Sequence, residues 1–173
     1  FAILGELTNL NGTLFFAFNP GEFGVPNELW VSDGTIEGTT QFPEPRTGMP
    51  FGSISSLIAM DDHLYFNSGT ELWKTDGTEA GSTLVKDLLQ SGMANPIEAS
   101  GTLYFRAYSS MYGQELWKSD GTGEGTRLVK DVLTGSENSW PGNLRAAGSD
   151  LFFSAEDGKH GNEPWKTDGT PDG

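Results

Sequence analysis

Glu115-Leu-Trp-Lys-Ser-Asp-Gly-Thr122 is one of four copies of the same phrase in this chain. The others are Glu28-Leu-Trp-Val-Ser-Asp-Gly-Thr35, Glu71-Leu-Trp-Lys-Thr-Asp-Gly-Thr78 and Glu163-Pro-Trp-Lys-Thr-Asp-Gly-Thr170. Their tryptophans stand at 30, 73, 117 and 165, in steps of 43, 44 and 48 residues. A period of that length marks one supersecondary unit copied in tandem. A phrase present in every unit builds the unit, so Glu28, Trp30, Glu71, Trp73, Glu115, Trp117, Glu163 and Trp165 are read as scaffold.

The third copy shows the unit most clearly. Residues 95–100 read as a first strand, Gly101-Thr102 as a turn, and Leu103–Tyr108 as an aromatic second strand. Gln114–Ser119 is the third strand, Asp120–Gly125 a turn, and Thr126–Val132 the fourth strand. Short β-branched and aromatic runs between Gly and Asp are strand signals. The second strand recurs at 14–18, 64–66 and 151–155, and the fourth at 83–87 and, more weakly, 39–42. Four antiparallel strands per copy predict an all-β propeller as a single domain over 1–173, with blades near 5–42, 52–87, 95–132 and 143–173. A closed four-bladed ring is the simplest arrangement. A larger or intermolecularly completed ring is the alternative.

Each element of the phrase has a physical reading. The Asp side chain accepts backbone N–H bonds in the turn, and Gly34, Gly77, Gly121 and Gly169 supply positive φ. The Thr and a later glycine (Gly38, Gly81, Gly125, Gly173) lead the chain into strand four. Pairing Ser119 with Thr126 would set Trp117 against Leu128 and Glu115 against Lys130. The second copy would match Trp73 with Leu84 and Glu71 with Lys86. The expected product is a cross-strand ion pair beside a buried ring. A calcium site at Asp33, Asp76, Asp120 and Asp168 is the sharper alternative, but one carboxylate per turn falls short of six to eight oxygens. No cofactor is expected.

Composition limits the partners. The net charge is -14, from 24 acidic and 10 basic residues. No cluster of Lys or Arg is available to neutralise phosphates, which argues against nucleic acid. No run approaches the roughly 20 apolar residues of a spanning helix, so membrane insertion is not expected. There is no cysteine, which removes disulfides, thiolate metal sites and a Cys nucleophile. The sequence opens at Phe1, which points to a mature or trimmed segment with any targeting element upstream.

The fourfold phrase, with Gly-Thr-Leu-Tyr-Phe at 101–105 and Leu-Val-Lys-Asp at 84–87 and 128–131, resembles the bacterial ELWxxDGT repeat family. The segment Ala155–Gly161 is similar to that family's second loop. The resemblance covers nearly the whole chain and implies propeller-like blades in a secreted or cell-surface protein. It implies no reaction. The chain departs from the pattern at Val31, at the short loop Asn67–Thr70, and at Pro164, which removes a backbone donor and predicts an edge or bulge.

Two features bear on function. The fourth copy reaches Gly173 where its fourth strand should begin, so the last blade is expected to be completed by 1–4 or by another chain. The loops divide into uniform short turns and a variable set at 19–26, 109–113, 156–162, 43–50 and 134–140 on the opposite face. Variable loops on a rigid scaffold carry binding. Phe23, Tyr108, Tyr112 and Trp140 are the candidate ligand contacts there, with Trp140 either a stacking surface or a lid over the core. His63 and His160 show no metal-ligand spacing. The loop carboxylates Glu22, Glu137, Glu156 and Asp157 leave a glycosidase pair as a minor reading. The expectation is a non-enzymatic extracellular module binding a protein or glycan. The alternatives are a self-associating surface fibre and a glycoside hydrolase.

Overall fold

The structure is a computed structural model describing residues 2–49, 51–170 and 172. Phe1 of the expected 1–4 segment and the turn glycine Gly173 lie outside the described residues. The described chain is all-β and forms four antiparallel sheets in chain order.

The first sheet is β1 (Ile3–Leu10), β2 (Thr13–Asn19), β3 (Glu28–Ser32) and β4 (Thr40–Gln41). The second is β5 (Ile54–Met60), β6 (His63–Ser68), β7 (Glu71–Thr75) and β8 (Thr83–Asp87). The third is β9 (Ala94–Ala99), β10 (Thr102–Ser109), β11 (Gly113–Ser119) and β12 (Arg127–Lys130). The fourth holds three described strands, β13 (Gly142–Ala147), β14 (Asp150–Glu156) and β15 (Asn162–Thr167). Each is a simple meander. Pro164 lies in β15, the outer strand of its sheet, where proline is tolerated. Ile3 and Leu4 pair with Asn19 and Phe18. They therefore belong to the first sheet, because β1 runs on through Gly5 instead of breaking there.

The chain forms two compact units, Phe1–Leu84 and Val85–Gly173. In the first, Phe15, Ala17, Leu29 and Phe42 of the first sheet pack with Phe51, Ile54, Leu64, Phe66 and Trp73. Phe51 sits edge-on to both Phe66 and Trp73, with centroids 5.0 Å apart in each pair. In the second unit, Tyr104, Leu116 and Val129 pack with Leu151, Phe153, Ala155 and Trp165. Opposed residues share a face. In both units the face carrying Phe15 or Tyr104 therefore meets the next sheet's tryptophan-bearing face.

The Asp-Gly-Thr turn is a hydrogen-bonded latch. Asp120 Oδ1 accepts the Thr122 N–H at 2.9 Å and its hydroxyl at 2.7 Å. Thr122 Oγ1 then accepts the Gly125 N–H at 2.9 Å. The same three bonds recur at Asp33 and Asp76. Thr35's amide, then its hydroxyl, holds the Asp33 carboxyl below its ordinary 3.8. At Asp76, Asp120 and Asp168 the threonine hydroxyl leads and the amide follows. The residue before each Asp also takes part. Ser32, Thr75, Ser119 and Thr167 accept the N–H of the turn glycine at 2.9–3.0 Å.

The later glycine is there because of close approach. A Cβ on Gly125 would lie 2.0 Å from Asp120 Oδ1, and Gly38 and Gly81 are alike. Gly125→Ala is therefore expected to push Asp120 out of the latch and cost roughly 1–3 kcal/mol. Urea unfolding checks this, and an unchanged midpoint would refute the latch.

A further regularity lies in the first strands. Glu6, Ser56, Asn95 and Asn143 all adopt positive φ, at 42°, 60°, 51° and 54°. Each sits at a register shift in its strand pairing. These are bulges placed identically in all four sheets.

Candidate binding surface

The repeated glutamates do not make the expected ion pairs. Trp117 opposes Leu128 as expected, but the register shifts between Leu116 and Trp117, so that Lys130 opposes Leu116. Glu115 instead is fully buried, accepting the Ser139 hydroxyl at 2.6 Å and the amides of Val132 and Leu133 at 3.3 and 3.4 Å. Burial pushes its carboxyl above the ordinary 4.5 against these bonds. The Trp117 Nε1–H is left buried without a partner. Glu71 accepts the Trp73 indole N–H at 3.0 Å and both terminal nitrogens of Arg46, which also lies 4.7 Å over the Trp73 ring. Glu28 takes Trp30 Nε1 and Gln41 Nε2. Lys86 donates to the carbonyls of Gly123 and Thr126. Glu163 is exposed.

The variable loops come together in the second unit. There the connection after β12 lies across the start of β11. A Cβ on Gly113 would stand 1.9 Å from the Glu137 carbonyl oxygen. Gln114 N–H donates to Asn138 Oδ1 at 2.8 Å, Ser139 N–H to Gln114 O at 3.1 Å, and Glu156 N–H to Ser139 O at 2.8 Å. The connection thus stitches β11 to β14. In the first unit Ile54 N–H donates to Asn27 O, joining the loop before β3 to the start of β5.

This stitching presents Trp140. Trp140 is 51% exposed, so about half of its surface is covered. Its backbone has φ +51°, between the anchored Ser139 and the buried Pro141. The Arg106 guanidinium carbon lies 5.9 Å from the Trp140 ring centroid. Tyr108 is two residues along β10 from Arg106, on the same strand face, and is half-buried. Tyr112 is half-buried in the loop, its N–H held by Ser109 Oγ. Neither tyrosine has a described ring contact with Trp140. Phe23 is fully exposed in the first unit's 20–27 loop. Arg46 and Arg106 were not singled out by the sequence, and their only signal there is position, in a connection and on an aromatic strand.

Other candidates take structural places. Asp157 Oδ1 accepts the Lys159 and His160 amides, and its Oδ2 meets His160 Nδ1 at 2.9 Å. These bonds hold the Asp157 carboxyl well below the usual range, the His160 amide most of all. The Asp157 carboxylate raises the His160 imidazole, first by its hydrogen bond to the ring and then by its charge. Among the described residues, no group of three or more His, Asp or Glu side chains is placed to hold a metal ion.

No protein-family model matches the chain. No curated protein matches it. Among solved structures it is similar to the crystal structure of the computationally designed Ika8 protein, at 12% identity and a TM-score of 0.50. The match covers 94% of this chain and 45% of that one, so this chain spans less than half of that protein's length. At this identity the likeness concerns fold alone.

Proposed function

We propose that the four sheets are propeller blades of the ELWxxDGT repeat type. On this reading the chain is a non-enzymatic, extracellular module that binds a glycan or protein through the loop face of its second unit. The propeller reading is supported by four meanders in chain order and by sheet-on-sheet packing inside each unit. The binding reading rests on Trp140. A bulky residue at positive φ is strained by about 1–3 kcal/mol, and a half-exposed indole leaves apolar surface in water. Stability alone favours glycine or asparagine there. The residue present offers a flat ring beside a guanidinium, which suits the apolar face of a sugar or an aromatic peptide side chain. The Asp-Gly-Thr carboxylates need no calcium in this scheme, since each has Oδ1 committed to its own turn.

Trp140→Gly is expected to leave stability within about 1 kcal/mol of the parent, since relief of backbone strain offsets lost packing. The same change should weaken binding at least tenfold, about 1.4 kcal/mol. A broad glycan and surface-protein panel, read alongside urea unfolding, checks both. Intact binding with a large loss of stability would make Trp140 a packing residue and end this reading.

A further inference from the structure

We infer that the chain associates head to tail with a second copy of itself. The uncovered face of the fourth sheet in one copy docks the uncovered face of the first sheet in the other. The argument goes beyond the loop-face ligand and rests on the propeller reading only for the way sheets stack.

Three positions of the repeat show both faces. Phe152 is the fourth sheet's counterpart of Phe15 and Tyr104, the residue after the leucine in each second strand. Phe15 and Tyr104 are 0% and 4% exposed, whereas Phe152 is 44% exposed. Leu4 stands six residues before the end of β1, where Ile54 stands in β5. Ile54 is 1% exposed and Leu4 is 55% exposed. The third position is the turn glycine. A Cβ on Gly77 would lie 3.9 Å from Phe15 Cζ, and one on Gly169 would lie 2.3 Å from the Tyr104 hydroxyl. In each unit, then, the second-strand ring of one sheet rests on the Asp-Gly-Thr turn of the next. Gly34, the same glycine in the first sheet, has nothing within 4 Å of its would-be Cβ.

The two free halves match. Phe152 is a ring without a turn to rest on, and Gly34 is a turn without a ring. Beside Gly34's turn, Leu4, Phe16, Phe18, Trp30 and Thr39 line an apolar hollow of about 350 Å³. The contact that would cover both faces is already made twice in this chain, once inside each unit. The occupant is therefore specified by the repeat itself, and a second copy carries the required partner for each face. Such a contact is heterologous. It closes into a two-chain ring or continues as a filament, according to the rotation per blade.

Sedimentation equilibrium and light scattering over a concentration series test this. The 18.6 kDa chain is expected to associate, chiefly to twice its mass. Higher multiples would support the same contact left open. Added salt should strengthen association, since two copies of charge -14 repel. Phe152→Glu and Leu4→Glu should each weaken association at least tenfold, with unchanged circular dichroism. Phe152→Ser serves the same purpose if the glutamate perturbs the fold. An equimolar mixture of the two variants should recover dimer, because one wild-type face of each kind remains. A monomer at every concentration overturns the inference. So does a dimer insensitive to Phe152→Glu, which would mean an isologous contact through the first sheet alone.

Discussion

Trp73→Ala is expected to remove about 3–5 kcal/mol of stability, one of the two largest losses from any single change in this chain. The indole is fully buried, stands edge-on to Phe51, lies under Arg46 and donates its N–H to Glu71. Truncation removes the ring, leaves a cavity in the first unit's core, and strips Glu71 of a donor. Trp30 has the same place in the first sheet but is only half-buried, packed on Phe16 and Phe18. Trp30→Ala should therefore cost less, roughly 1–2 kcal/mol. Urea unfolding followed by far-ultraviolet circular dichroism gives both values. Equal losses at the two sites would refute the argument that the same motif is worth more where a neighbouring sheet covers it. Ligand binding at Trp140 should survive both changes below their unfolding midpoints.

The strands were legible in the sequence where two local signals coincide. Leu103–Tyr108 alternates between faces and is bounded by Gly101 and Gly113, and β10 runs from Thr102 to Ser109. The weak fourth strand at 39–42 is two residues long, because Phe51 takes the next places in the ladder: its carbonyl accepts the Leu29 N–H and its own N–H donates to Phe42 O. The bulges were not legible. Glu6, Ser56, Asn95 and Asn143 share no side-chain chemistry, and what they share is a backbone angle. The glutamate partners were hidden for a related reason. A fixed spacing to Lys130 holds only without a register shift, and one residue of slip moves the lysine off Glu115. Of the groups that do reach the glutamates, the Trp30 and Trp73 indoles belong to the repeat, but Arg46 and Ser139 come from connections that the repeat does not specify. At the candidate surface, a non-repeat tryptophan before Pro141 pointed to Trp140. Its exposure depends on the stitching of Asn138 and Ser139, a tertiary fact.

Glu115 carries the other large effect. Glu115→Ala is expected to cost roughly 2–4 kcal/mol, because it strands the Val132 and Leu133 amides in a buried space and leaves the Ser139 hydroxyl only the longer bond to Gln114 O at 3.3 Å. Those groups anchor the connection that presents Trp140, so this variant should also lose binding, unlike Trp73→Ala. The pH dependence separates charge from packing. Burial holds the folded Glu115 carboxyl above its ordinary 4.5. The folded state therefore keeps this proton at a pH where the unfolded chain has released it. Its favourable contribution is complete below 4.5 and is lost as pH rises through the raised value. The turn aspartates run the other way, contributing above 3.8 and failing on acidification. Comparing the parent with Glu115→Gln cancels the aspartates, since both proteins contain them. The parent's stability relative to Glu115→Gln should then decline between pH 4 and pH 7, whatever the constant offset from exchanging an acceptor for an amide. A difference that stays flat or rises would mean that the three hydrogen bonds outweigh burial. The glutamate of the third copy would then be a stabilising anion, like Glu71 under Arg46, and not a buried acid tolerated because it ties the Trp140 connection to β11.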